Sequence, residues 1–339
     1  MRFSTAFVAL AAFATSTTLT TAIPATMSTS MSSSMSSSGS MPTPKPTPRP
    51  GRNNTRILEV LNYALTFENF ESEFFKQGLA KFNESSFTDA GFNATVRDRL
   101  ALIGEHDKAH ASALTSVIKS MKGKPVGVCN YSFPMDNVTE FLGFARGLET
   151  AGVSAYIGAA SHFRGNLSTI AASIIAVEAR HAAYLNGLFN LSGIPYAFDT
   201  ALGPREVATL GARYITSCPF NSTIKPFAQL NVTFPEAGSN STGSNSTKVS
   251  TYFDGPGSDS NSTYCQFLFG NNVTVSPRSE CALPDGIKGY VYLLITKNNN
   301  TFTVEKDSNV LAGPVLLFNG THFNSTQTNG TQTNGTQST

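Results

Sequence analysis

Two stretches of the chain carry the same reactive side chains at the same spacing. Ile103–Leu114 reads IGEHDKAHASAL and Ile174–Leu185 reads IIAVEARHAAYL. Aligned without a gap, Ile103 falls on Ile174, Asp107 on Glu178, His110 on His181, Ala111 on Ala182 and Leu114 on Leu185. Each copy sets a carboxylate and an imidazole three residues apart in an Ala/Leu/Ile-rich helical pattern. Positions i and i+3 share one helix face, so both groups reach the same point in space. A carboxylate beside an imidazole suits a hard-to-borderline divalent cation.

The repeat extends upstream of each copy. Ala64-Leu65-Thr66-Phe67-Glu68 precedes the first and Ala145-Arg146-Gly147-Leu148-Glu149 the second, with an aromatic residue seven positions on, Phe75 or Tyr156. The unit is therefore a helix with one inward Glu, followed by a helix with acid-x-x-His. Two such hairpins packed together form a four-helix bundle whose inward face has the donor set of di-iron and di-manganese carboxylate proteins. Residues 55–190 accordingly resemble the ferritin-like superfamily. They are most similar to secreted fungal ferritin-like domain proteins of the stress-response and sexual-development type, with plant desiccation-related proteins as distant relatives. Ile57-Leu58-x-x-Leu61-Asn62-Tyr63-Ala64-Leu65 and Glu68-x-x-Glu71-x-Glu73-Phe74 are similar to the first helix of that family. A lone acid-x-x-His recurs by chance on many helices; the duplicated set, in order and with matching flanks, is the specific part.

The resemblance implies a centre made of Glu68, Asp107, His110, Glu149, Glu178 and His181 that holds two divalent metal ions, iron or manganese. Four carboxylates carry four negative charges, which two such ions neutralise. Without cations these groups repel one another inside an apolar bundle, and some must bind protons. In the usual geometry two carboxylates bridge the ions, and each ion keeps one imidazole and one terminal carboxylate. Glu68 and Glu178 are assigned here as terminal or bridging partners, with their individual roles open. Tyr156 lies two turns beyond Glu149 and reaches the edge of the site as a hydrogen-bond donor or radical-capable side chain; Phe75 has no hydroxyl. Glu71 and Glu73 compete with Glu68, and the repeat with Glu149 favours Glu68. Asp107 is one methylene shorter than the Glu common in the family. His106 and His110, four residues apart, form an alternative zinc pair.

These donors require helices at roughly 55–81, 94–121, 137–162 and 167–188, with a crossover at Gly123–Pro134 and a fifth helix at Arg205–Ser217 after Gly203-Pro204. Beyond Cys218 the pattern changes to short Thr/Val-rich runs such as Thr247–Phe253, Tyr264–Phe269 and Tyr290–Thr296, separated by turn residues. The expected fold class is α+β and multidomain: a ferritin-like helical bundle at 55–219, then a small sandwich-like β-rich domain at 220–318.

The flanks point to the cell exterior. Residues 1–22 read as a signal peptide, with Arg2 and the apolar run Phe7–Ala14. Residues 23–54 form a Ser/Thr/Pro-rich stalk and 319–339 a disordered glycosylated tail. Asn-x-Ser/Thr sequons recur throughout; Asn83, Asn93, Asn130, Asn137, Asn166 and Asn190 flank the expected helices and avoid their interiors. The four cysteines, Cys129, Cys218, Cys265 and Cys281, read as two disulfides in an oxidising compartment. Three pairings remain open, of which Cys129–Cys218 would pin the crossover to the bundle and Cys265–Cys281 would lie within the β-region. No Cys-x-x-Cys spacing supports a zinc ribbon. Only 14% of residues are charged and the net charge is +2, so no nucleic-acid surface is indicated. No apolar run spans a membrane and no lipid-anchor signal is present.

Three functions fit these features. The first is a secreted di-metal carboxylate glycoprotein, oxidative or stress-related, with ferroxidase, peroxidase-like or oxygenase chemistry if iron binds. The second is a catalytically inactive structural or protective glycoprotein on the same scaffold. The third gives the β-region a cell-wall polysaccharide partner, with Tyr290 and Tyr292 on one face either for sugar stacking or for the core. Oligomeric state is left open.

Overall fold

The computed structural model describes residues 50–235, 247–260, 262–301, 307–318 and 321–322. The expected signal peptide, the stalk before Pro50 and the tail after His322 lie outside the described residues. Among the described residues, five of the six α-helices are α1 (Pro50–Lys81), α2 (Glu84–Asp89), α3 (Thr95–Ser120), α4 (Val138–Ala159) and α5 (Asn166–Leu188). α1 begins five residues earlier than expected, inside the proposed stalk, with Pro50 at its first position. Proline is favoured there because its missing N–H would be unbonded in any helix. α2 is capped by Asn83, which accepts from the Ser86 amide at 3.0 Å, and α4 by Asn137, which accepts from the Glu140 amide at 2.9 Å.

α1 packs on α3 and α4 on α5, and α1 also meets α4, so the two sequence repeats are two helical hairpins laid together. Two apolar clusters fill the bundle. One contains Phe74, Phe75, Phe87, Phe141 and Leu185; the other contains Leu61, Leu65, Leu114, Ile118 and Ile174. The acidic residues of the repeat fall between these clusters in the order of the chain.

The crossover from α3 to α4 carries β1 (Asn130–Tyr131), which pairs antiparallel with β2 (Ile215–Ser217). Cys129–Cys218 closes the same junction, and Cys265–Cys281 is the second disulfide. The fifth long helix of the sequence reading is α6 (Pro204–Ala212), shorter than expected. Arg213 and Tyr214 turn the chain out of the helix, and the β-branched Ile215 and Thr216 enter β2, beside the cysteine bridge.

The C-terminal region is built of small antiparallel sheets. β3 (Asn231–Thr233) pairs with β4 (Ser250–Tyr252). β5 (Tyr264–Phe269), β6 (Asn272–Pro277), β7 (Tyr290–Thr296), β8 (Val310–Phe318) and β9 (Thr321–His322) form one sheet in the order β6-β5-β7-β8-β9. Thr321 and His322, placed in the tail by the sequence reading, therefore belong to the sheet. The arrangement is not a sandwich of two comparable sheets. Alternate residues of β7 and β8 (Tyr292, Leu294, Leu316, Phe318) pack with Ala155, Leu202 and Val207 of the helical part. Their neighbours (Val291, Leu293, Leu317) pack under Leu230, Val232, Val249 and Phe253. Both faces are covered, which is why β7 reads as an unbroken apolar run. Tyr290 and Tyr292 are consequently core residues rather than a sugar platform. The Tyr292 hydroxyl lies 2.9 Å from Ser154 Oγ of α4.

α4 is thus enclosed by helices on one side and the sheet on the other. Its small residues permit that close packing. At Gly158 an added Cβ would run into the Leu202 carbonyl, while the Leu202 amide donates to the Ser154 carbonyl at 3.1 Å. Gly158→Ala is expected to cost roughly 1–3 kcal/mol through overpacking against backbone. Gly187→Ala on α5, where nothing lies within 4 Å of the new Cβ, should be neutral or stabilising by up to about 1 kcal/mol. Thermal unfolding of the two variants checks the contrast.

Candidate metal centre

The four long bundle helices each bring acidic or imidazole groups to one buried place. α1 supplies Glu68, α3 Asp107 and His110, α4 Glu149, and α5 Glu178 and His181. The four carboxylates are fully buried, His181 nearly so, and His110 partly. Their donor atoms form two groups: Glu68, Asp107, His110 and Glu178, and Asp107, Glu149, Glu178 and His181. Within each group the atoms lie within 4.8 Å of one another. Asp107 and Glu178 belong to both groups, whereas Glu68 and Glu149 each belong to one. Asp107 and Glu178 are thus the two carboxylates common to both groups, and Glu68 is in one alone. The pair of helices with acid-x-x-His thus supplies the shared carboxylates, and the pair with a single Glu supplies the unshared ones.

The short contacts repeat this division. His110 Nδ1 is 3.1 Å from Glu178 Oε1 and 3.3 Å from Glu68 Oε2. His181 Nδ1 is 3.1 Å from Glu149 Oε2 and 3.9 Å from Asp107 Oδ1. The Tyr156 hydroxyl donates to Glu68 Oε1, crossing from one repeat to the other. Phe75, its counterpart, instead joins the aromatic cluster beside Phe74 and Phe141.

Two neighbours were not assigned from sequence. His106 does not pair with His110; it stacks on His181, its Nδ1 3.0 Å from His181 Nε2. It therefore orients the ring so that Nδ1 faces the carboxylates, as the outer nitrogen of a metal-bound histidine requires. In place of the zinc pair, His106 makes this contact across to α5, while His110 turns to Glu68 and Glu178. Glu71 is fully buried, and neither carboxylate oxygen has a hydrogen-bond partner. Its signal was present, three residues after Glu68 and set among Phe67, Phe70, Phe74 and Phe75, but the repeat has Gly152 at the matching place. Glu73, the other competitor, is at the surface and pairs with Lys76 at 2.8 Å.

The donor set fits a cation. Both oxygens of Asp107, Glu149 Oε1 and Glu178 Oε2 are buried without a hydrogen-bond partner, and Glu68 Oε2 and Glu178 Oε1 meet only His110 Nδ1. Leaving such groups unpaired costs on the order of 1–3 kcal/mol each, more when charged. Two divalent ions would satisfy them and balance four carboxylate charges. Oxygen-rich ligation with one imidazole per ion matches iron or manganese better than zinc.

With no cation bound, the protons must do this work. Burial pushes Glu68 up, His110 pulls it partly back and Glu178 pushes it up again, to about 7. Burial, then the charge of Glu178, holds Glu71, Asp107 and Glu149 well above the usual carboxylate range. The histidines diverge despite their equivalence in the repeat. Burial alone would lower His110, but the Glu178 and Glu68 carboxylates reverse it, to about 10. Burial lowers His181 to about 4, only partly opposed by Glu178. Its nearest carboxyl group, Glu149, is itself pushed toward the protonated form by burial and the charge of Glu178.

A carboxyl group whose folded pKa is raised contributes stability below its unfolded pKa and loses it as pH rises through the folded value. For Glu68 that window runs from 4.5 to about 7, with Glu71, Asp107 and Glu149 acting in the same direction. His181 opposes this, since its contribution is lost as pH falls from 6.5 to about 4. Carboxyl groups outnumber it. The metal-free protein should therefore melt roughly 5 °C or more lower at about pH 8 than at about pH 5, a difference that bound divalent cation removes. Scanning calorimetry with and without chelator measures it.

A family model described as a ferritin-like domain matches residues 57–191. Protein rds1 of Schizosaccharomyces pombe is 28% identical over 160 residues, a match that spans 47% of this chain and 39% of that protein's length. Among solved structures, a protein of Xanthomonas campestris pv. campestris aligns with a TM-score of 0.33 and 15% identity, over 40% of this chain and 90% of that one.

Proposed function

We propose that the chain, whose residues 57–191 match a family model described as a ferritin-like domain, would hold two divalent ions, iron or manganese, with Asp107 and Glu178 as the carboxylates common to both. The single observation that carries this is the pair of donor groups that share those two carboxylates. Glu68 and His110 would complete one ion's shell, and Glu149 and His181 the other's. Such a pair, when bound, supplies one-electron redox chemistry toward dioxygen or peroxide. The chain's own residues do the rest. The Tyr156 hydroxyl fixes the Glu68 carboxylate, and His106 fixes the His181 ring. The two apolar clusters keep bulk water from both ends of the centre.

The reading extends to the setting in which the protein works. We place it outside the cell as a glycoprotein with a stress-related or oxidative role. Support comes from the signal-like N-terminus and from the two disulfides, which use all four cysteines. Asn83, Asn93, Asn130, Asn137, Asn166 and Asn190 are all exposed at element ends, where a glycan meets no packing. No described helix is long and apolar enough to cross a membrane. A cell-wall polysaccharide partner belongs to the same proposal, without Tyr290 and Tyr292 as its contacts.

One observation favours a rival reading, a metal-free protective scaffold. The raised carboxyl groups of Glu68 and Glu71 hold protons readily, and His110 Nδ1 lies 3.3 Å from Glu68. Metal analysis of protein secreted from a fungal host separates the two. The proposal expects about two iron or manganese ions per chain, and near-complete loss in the His110→Ala/His181→Ala double variant. Asp107→Ala or Glu178→Ala should empty both positions, while Glu68→Ala should leave about one ion per chain. A folded protein that carries no metal and melts unchanged in chelator would select the scaffold.

A further inference from the structure

Beside the acidic centre lies a cavity of about 610 Å³ bounded by α1, α4, α6 and the segment after Cys218. Its inner wall is apolar, with Phe67, Phe70, Leu148 and Ala151 among its residues. Two of these are chain neighbours of the site, Phe67 before Glu68 and Leu148 before Glu149, and Ala151 precedes Gly152. Its solvent end includes Glu59 and Lys225, both exposed and of opposite charge. A volume in this range, lined mainly by apolar groups with a few polar ones such as Asn62 and Thr66, is that of a small-molecule site.

Phe67 links the cavity to the centre. A Cβ added at Gly152 would lie 2.9 Å from Glu71 Oε1, 3.0 Å from Glu178 Oε2 and 3.2 Å from the Phe67 ring. The ring that lines the cavity therefore abuts the space where Glu71 and Glu178 converge. Gly152 leaves that space open; the matching position of the first repeat is Glu71 itself. Glu71, with two unpartnered oxygens, stands on the boundary, one helical turn from Phe67 on one edge and three residues from Glu68 on the other.

We propose that this cavity binds a neutral amphipathic organic molecule, an aliphatic body with an uncharged hydroxyl head, and presents it to the metal centre across Phe67. The aliphatic body follows from the inner wall, and the uncharged head from the opposite charges at the solvent end, which favour neither an anion nor a cation. The coupling to the centre rests on the metal reading above; the binding itself does not.

The test titrates the full-length protein with the neutral fluorophore N-phenylnaphthylamine and displaces it with dodecanol. Two variants fill the cavity from α6, Ala208→Trp and Ala212→Phe, each checked by thermal unfolding. The proposal expects dodecanol to displace the probe from the natural chain and to bind at least about tenfold more weakly to whichever filled variant folds, with cobalt(II) uptake unchanged. Dodecanol should also alter the visible absorption of the cobalt(II)-loaded natural protein but not of the filled variants. Displacement that is absent, or equal in natural and filled proteins, overturns the proposal. A cobalt(II) spectrum indifferent to bound dodecanol overturns the coupling. Failure to take up cobalt(II), with cavity-dependent dodecanol binding intact, defeats the metal reading and leaves the ligand site standing.

Discussion

The structure depends on one electrostatic constraint: five carboxyl groups, Glu68, Glu71, Asp107, Glu149 and Glu178, sit fully buried at the middle of a helical bundle. An apolar interior does not hold that much like charge. Ionised, the groups would repel one another without solvent to screen them; protonated, they surrender the charge. Two imidazoles within about 3 Å of them relieve a part of the cost. Cations would relieve more, and would also meet the oxygen atoms that have no hydrogen-bond partner. Folding this sequence and loading its centre are on this view one linked equilibrium, in the sense that binding free energy becomes folding free energy.

The surrounding fold isolates and braces the charged layer. Apolar clusters lie toward both ends of the bundle. The five-stranded sheet presses one face onto α4 and α6, and the Cys129–Cys218 bridge and the β1–β2 pair tie the crossover to the far end of α6. α4 is the element that both halves share. It carries Glu149 and Tyr156 toward the centre, Ser154 toward the sheet, and Leu148 and Ala151 toward the cavity. A helix asked to serve three surfaces needs small residues, which explains its Gly/Ala-rich composition and its near-complete burial.

Much of this was legible in the sequence because duplication made it so. One acid-x-x-His proves little, but two in register, each preceded by a helix with a lone Glu, specify four helices and six inward side chains. The helices followed from apolar periodicity, and the β-region from a change of period after Cys218. Features without a counterpart in the repeat were harder to read. Glu71 faces Gly152, so the argument that selected Glu68 also set Glu71 aside. His106 aligns with Val177, so only the fold could reveal its stacking on His181. Which carboxylates are shared depends on how the hairpins meet, and helical spacing within one chain segment does not encode that. The burial of both faces of β7 follows from the helices beside it, which a local alternation pattern cannot report.

The central claim is that the buried acids exist to hold two cations. An anomalous difference map from crystals of the protein secreted by a fungal host, collected above the iron or manganese edge, tests it directly. The account predicts two peaks flanking the Asp107 and Glu178 carboxylates, one near His110 and the other near His181. A map with no peak there, and with the carboxyl groups hydrogen-bonded to each other or to water, would contradict it.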